Sequence, residues 1–121
     1  MSEILIDHVL LDRVTKAAKE SLRLRMNYNF HESLSSPSQR LLNALEPGTV
    51  LPIHRHRHTA ETYVLLRGRM RVLFYDDDKK EINRYELDPA EGTYGVNIPR
   101  GQWHTIEVLC AGTVIFTITD T

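Results

Sequence analysis

The stretch GTVLPIHRHRHTAETYVLLRG, Gly48 to Gly68, decides how the chain is read. It carries three of the six histidines, a carboxylate, and a glycine at each end. Val64, Leu65 and Leu66 close it with a run suited to a buried strand. His54 and His56 are two apart, a spacing that points both imidazoles to one face of an extended chain. Glu61 follows after Arg57-His58-Thr59-Ala60, enough chain to turn into a neighbouring strand. Two neutral imidazoles and a carboxylate converging from adjacent strands form a ligand set for a divalent transition metal. Pro99-Arg100-Gly101-Gln102-Trp103-His104 supplies a tight turn and then a fourth donor, His104, at the start of a strand.

Outside this stretch, the chain changes period. In 121 residues there is room for one domain with a proper core. Asp7 suits a helix N-cap, with Ile6 placed to pack on Leu11 as a staple. Leu10, Leu11, Val14, Ala17, Ala18 and Leu22 recur at three-to-four spacing, which predicts an amphipathic helix over 8–21. Arg23 to Ser38 reads as polar and irregular. From residue 39 the pattern alternates, and strands are expected near 40–46, 49–55, 61–67, 69–75, 82–88, 95–98, 103–109 and 112–119. Short strands with no helices between them predict an all-β sandwich or barrel. The expected division is residues 1–38, a helix and loop packing on or over the barrel, and residues 39–121, the barrel. Asp76-Asp77-Asp78 lacks the glycine and distal glutamate of a calcium loop and reads as a hairpin turn.

Composition excludes several partners. The formal charge is -1, so no field favours nucleic acid or a membrane surface. No apolar run reaches the ~20 residues of a membrane helix, and Met1-Ser2-Glu3 lacks a basic signal region, so a cytoplasmic protein is expected. A lone Cys110 offers neither a disulfide nor a thiolate pair for zinc, and reads as a small buried hydrophobe.

The spacing of the metal-ligand candidates matches a known pattern. Gly48, His54, His56, Glu61 and Gly68 stand at every fixed position of the first cupin motif, and Pro99-Arg100-Gly101-Gln102-Trp103-His104 resembles the decisive part of the second. Two features depart from it: Gly92 lies one residue too far before Pro99, and Val108 stands where many cupins carry Asn. The resemblance implies a single jelly-roll β-barrel with an N-terminal α-helix and a metal site of His54, His56, Glu61 and His104. That donor set suits Fe, Mn, Ni, Zn or Cu. Arg25-Met26-Asn27-Tyr28-Asn29-Phe30-His31-Glu32 and Gln39 to Gly48 further resemble the WbuC family of small cupin-fold metalloproteins. That family is associated with bacterial surface-polysaccharide (O-antigen) gene clusters, which implies sugar or nucleotide-sugar metabolism.

Strand alternation extends the site. It sends Tyr63, Leu65 and Arg67 inward with Glu61, and Gln102, Ile106 and Val108 inward with His104. Tyr63 is then either a core tyrosine or an acid/base beside the metal. Alternation turns Trp103 and Arg55 outward, away from the metal. His58 competes as a ligand but sits in the loop before Glu61, and His8 reads as a surface residue. His31 is either a loop histidine bonded to backbone or, with Arg25 and Asn29, a group reaching over the mouth. Arg55, Arg57, Arg69, Arg71 and Arg100 can present guanidiniums there and favour an anionic ligand, or can simply be solvated.

Three functions compete: a metal-dependent enzyme acting on a small oxygenated molecule, with Tyr63 or His31 moving protons; a non-catalytic metal-dependent binding module; and a structural dimer stapled by metal. Isomerase, epimerase and dioxygenase chemistries all occur on this fold, so the fold does not choose between them. The helix and the apolar tail Val114-Ile115-Phe116 are compatible with a homodimer.

Overall fold

A computed structural model describes residues 3–120. The chain begins with the helix α1, His8–Glu20, capped by Asp7, whose side chain accepts from the Leu10 amide at 3.0 Å. Eight strands follow: β1 (Arg25–Asn29), β2 (Ser38–Leu45), β3 (Glu61–Arg67), β4 (Met70–Tyr75), β5 (Glu81–Leu87), β6 (Gly95–Ile98), β7 (Trp103–Val108) and β8 (Thr113–Asp120). They form two sheets, ordered β1-β2-β8-β3-β6 and β5-β4-β7, with every pair antiparallel. This is the jelly-roll β fold expected, but the two sheets face one another and do not close into a barrel.

Two apolar layers hold it together. Leu45, Tyr63, Leu65, Met70, Val72, Phe74, Leu87, Ile98, Ile106 and Ile115 pack between the sheets. On the outer face of the larger sheet, Leu42, Ala44 and Val114 meet Leu10, Leu11, Val14 and Ala18 of α1. Alternation along β2 serves both layers, since Leu42 and Ala44 turn to the helix while Leu41, Asn43 and Leu45 line the interior. Leu22, included in the helical stripe, lies beyond α1 and is fully exposed.

Three strand expectations change. Residues 49–55 form no strand; only His54 makes a bridge, to His104. Pro52 within that run has no amide to give a ladder. Arg25–Asn29, read as irregular, instead pairs along β2 from Arg25↔Leu45 to Asn29↔Leu41, its polar residues being tolerated at a sheet edge. The third change is local. Alternation predicts Arg67 inside, but a register shift between Leu65 and Arg67 turns it to the helix. There it donates to Asp12 at 2.7 Å, Thr15 at 2.9 Å and the Gly112 carbonyl at 3.1 Å. Asp76–Lys80 is the hairpin turn expected, with Asp76 Oδ1 accepting from the amides of Asp78 and Lys80 at 2.9 Å each.

Gly68 turns the chain from β3 to β4 at φ +96°, and a Cβ there would collide with Thr113 side chain and backbone. Gly112 also has positive φ, +77°, but a Cβ there would meet nothing within 4 Å. Gly68→Ala is therefore expected to lower the unfolding free energy by about 3 kcal/mol, and Gly112→Ala by only about 1 kcal/mol. Urea denaturation of the two variants checks the difference, and equal losses would contradict the packing at Gly68.

Candidate metal centre

Short contacts deliver the four donors from three parts of the fold. His54 and His104 face each other in a two-hydrogen-bond bridge, His54 N to His104 O at 3.0 Å and His104 N to His54 O at 2.8 Å. The Gly101 amide donates to the His56 carbonyl at 2.7 Å, so the segment runs antiparallel to the start of β7 for three residues. That short register aims His54, His56 and His104 to one side and sends Arg55 and Trp103 to the other. Glu61 opens β3 in the opposite sheet. The ligand set thus converges across the two sheets rather than from adjacent strands.

One ligand atom from each of His54, His56, Glu61 and His104 lies within 4.8 Å of every other. His54 and His56 are partly buried, whereas Glu61 and His104 are buried, His104 completely. His56 Nε2 is 3.3 Å from Glu61 Oε2, and His104 Nε2 is 3.2 Å from Glu61 Oε1. The other ring nitrogens set the protonation. His54 Nδ1 lies 3.0 Å from the Pro52 carbonyl and His104 Nδ1 2.9 Å from the Gln102 carbonyl. A carbonyl only accepts, so both Nδ1 atoms carry hydrogen and both neutral rings leave Nε2 as a lone pair for the centre. A neutral His104 then faces a carboxylate oxygen lone pair to lone pair, an arrangement satisfied by a cation between them or by a second proton on the ring, which makes the contact a hydrogen bond. Carbonyl partners of this kind orient ligand histidines in metal sites.

Electrostatics favour the ligating forms. Burial pushes His54 below its ordinary value, and the neighbouring rings of His104 and His56 reinforce this against the Pro52 carbonyl and Glu61. Burial works against the Glu61 carboxylate, but the His104 hydrogen bond, His56 and the Tyr63 hydroxyl outweigh it and hold Glu61 below its usual range. Neutral imidazole and ionised carboxylate are the forms that bind metal. The residues fit a divalent transition ion of the kind three imidazoles and one carboxylate select.

Tyr63, two residues along β3 from Glu61, is buried with its hydroxyl 3.4 Å from His104 Nε2. Burial, then the charge and hydrogen bond of Glu61, raise its pKa well above the ordinary value, which keeps it a hydroxyl donor. An open cavity of about 670 Å³ leads from this cluster, lined by His54, His56, Glu61 and Tyr63 and by the inner faces of β1, β2 and β8. Its volume lies within the range of small-molecule sites.

Other candidates fall elsewhere. His31 does not line the cavity; its Nδ1 lies 3.1 Å from both the amide nitrogen and the carbonyl oxygen of Arg40. His58 is exposed and outside the cluster, and His8 is exposed on α1. Of Arg55, Arg57, Arg69, Arg71 and Arg100, none lines the cavity; Arg25, expected over the mouth with Asn29 and His31, does, as does Arg23, whereas Asn29 does not. Arg55 stacks on Trp103 with its guanidinium carbon 4.5 Å from the ring centroid, and Lys79 approaches the same ring at 4.9 Å. This stack clamps the His54–His56 segment from outside, and neither its partners nor Asn43 and Thr117 on the cavity wall follow from the motif. Alternation within β2 and β8 is the signal that finds the wall residues.

Comparison with known proteins agrees with this geometry. A family model described as a domain of unknown function (DUF6016) matches residues 6–87, a span that includes His54, His56 and Glu61 and stops short of His104. No curated protein matches the chain. Among solved structures, the cupin domain of Schizosaccharomyces pombe Cnp3 is similar at TM-score 0.63 and 12% identity, over 80% of this chain and 64% of that one. A putative sugar phosphate isomerase from Acidithiobacillus ferrooxidans is similar at TM-score 0.64 and 19% identity, over 80% of this chain and 59% of that one. The capsular polysaccharide assembling protein CapF of Staphylococcus aureus is similar at TM-score 0.60 and 26% identity, over 78% of this chain but 25% of that one. The chain therefore spans less than two thirds of each of these chains, and the likeness is to their cupin fold.

With His104 replaced by Ala, protein purified without added metal is expected to carry at least roughly tenfold less bound metal than the wild type, with its β circular dichroism retained. Elemental analysis measures this, and unchanged metal content would remove His104 from the ligand set.

Proposed function

The chain belongs to the DUF6016 family, whose description leaves function open, and from that premise we propose that it is a metal-dependent enzyme acting on a small oxygenated molecule, a sugar or nucleotide-sugar in bacterial surface-polysaccharide metabolism. One observation carries the reading: of four donors within 4.8 Å of one another, His54, His56 and Glu61 line a cavity of about 670 Å³, so a bound ion is reachable by a ligand. A purely structural metal has no need of such access. Resemblance to the WbuC family supports the polysaccharide setting, as do neighbours described as a capsular polysaccharide assembling protein and a putative sugar phosphate isomerase.

His54, His56, Glu61 and His104 would hold the ion, which when bound supplies Lewis-acid polarisation of a carbonyl or hydroxyl. The chain's own contribution is position and proton handling. Tyr63 projects its hydroxyl into the cavity beside the ligand cluster, where it donates to a ligand oxygen or exchanges a proton there. Leu45, Leu51, Ile106 and Ile115 give the cavity an apolar wall. His31, tied to the Arg40 backbone, has no part in this arrangement. A homodimer suits the exposed apolar side chains of β3 and its neighbourhood, Val64, Leu66 and Tyr94.

Turnover is tested by incubating metal-loaded and chelator-stripped protein with a panel of sugars and nucleotide-sugars. Product formed only by the loaded form supports the enzyme. Stabilisation by a panel compound without product would select a binding module instead. For a compound that turns over, Tyr63→Phe is expected to lower kcat by about 10²-fold or more with metal content unchanged, whereas His31→Ala leaves both unchanged. An unaltered kcat in Tyr63→Phe would return Tyr63 to a packing role.

A further inference from the structure

The cavity has two chemically different ends. Glu61 and the histidines mark one, and Thr119 and Gln39 share the Glu61 row across β8 and β2. Arg23 and Arg25 mark the other, since Arg25 pairs with Leu45 at the far end of β2. Arg25 is held in place: its Nη1 donates to the Val50 carbonyl at 2.9 Å and to Thr49 Oγ1 at 3.4 Å. The Thr49 hydroxyl in turn donates to the Arg23 backbone carbonyl at 2.7 Å, so one short network holds the Arg25 guanidinium and the Arg23 backbone. Among the described residues neither guanidinium has a carboxylate partner within 4.0 Å. Other arginines in the chain behave differently: Arg55, Arg67, Arg71 and Arg84 each meet an acid.

Between the two ends the wall is built for hydroxyl groups. Asn43 donates to Thr117 Oγ1 at 3.0 Å, which leaves the Thr117 O–H and the Asn43 carbonyl oxygen for a ligand. Val50, held by Arg25, is four residues from His54, a length of chain no greater than about 14 Å. A lone anion bound at the arginines would leave the metal end untouched, whereas a sugar with an anionic group at one end reaches both.

We propose that Arg23 and Arg25 form the anion subsite of this cavity, which binds a sugar bearing a phosphate or carboxylate, charged end on the arginines and hydroxyl-bearing end toward His54, His56, Glu61 and His104. The identity of the far end rests on the metal-dependent function proposed above; the arginine end does not. Guanidiniums give charge-assisted, forked hydrogen bonds to either anion, and that of Arg25 is already held in place. Asn43 and Thr117 read the ring hydroxyls in between.

Calorimetric titration of glucose 1-phosphate, galacturonate and glucose into the full chain tests this, with metal loaded and after chelation. One or both anionic probes are expected to bind roughly tenfold or more tightly than glucose. Preference for the phosphate or for the uronate says which anion the site takes. Arg23→Glu, at an exposed position, and Arg25→Gln are expected to abolish the preference without changing metal content or circular dichroism. Three results overturn the subsite: equal binding or no binding of all three probes, a preference that survives both substitutions, or a preference present only with metal loaded. Wild-type protein that takes up no metal on loading and yet keeps the preference would uphold the subsite and sink the metal-dependent function instead.

Discussion

The contact that the site depends on is between Glu61, at the start of β3, and His104, near the start of β7, 3.2 Å apart across the gap between the sheets. Both groups are buried, and neither is ordinarily stable there alone. His104 is oriented by the Gln102 carbonyl and Glu61 by two imidazoles, so the pair turns acceptors toward one point from opposite walls. A positive charge at that point satisfies them all. The sheets do not close by hydrogen bonding on every side, and this cluster is one of the places where they are joined.

The His54–His56 segment is a weak element made firm by its neighbours. Pro52 denies it a strand, yet the bridge at His54, the Gly101 amide on His56, and the Arg55–Trp103–Lys79 stack fix it on both faces. The stack buries Arg55 Nε without a partner, which is a cost borne on the outside of a segment whose inside carries two of the four clustered donors. Such an arrangement, with order supplied from behind, is how irregular chain holds a ligand geometry.

Polarity along the cavity follows from antiparallel pairing. β1, β2, β8 and β3 are adjacent, so inward residues align in rows, and the Glu61 row is six residues of β2 from the Arg25 row. Acid and imidazoles gather at one end and guanidiniums at the other, with amide and hydroxyl groups between. A cavity graded in this way orients a ligand as well as binding it.

Much of this was legible along the chain. The helix, its Asp7 cap, seven of the eight strands within two residues, the inward turn of Tyr63 and the gathering of His54, His56, Glu61 and His104 all follow from period, spacing and motif, because each depends on residues near one another or on a fixed repeat. What only the folded chain decided depends on residues far apart. The register shift after Leu65 turned Arg67 to α1, where Asp12 and Thr15 waited. Edge pairing made a strand of Arg25–Asn29 and so set Arg25 and Asn27 on the cavity wall, while Asn29 of the same strand and Arg71 of β4 stayed off it. Convergence on Glu61 separated His54, His56 and His104 from His31, whose ring stays on the Arg40 backbone. No local pattern encodes those contacts, since each exists only once the sheets have met.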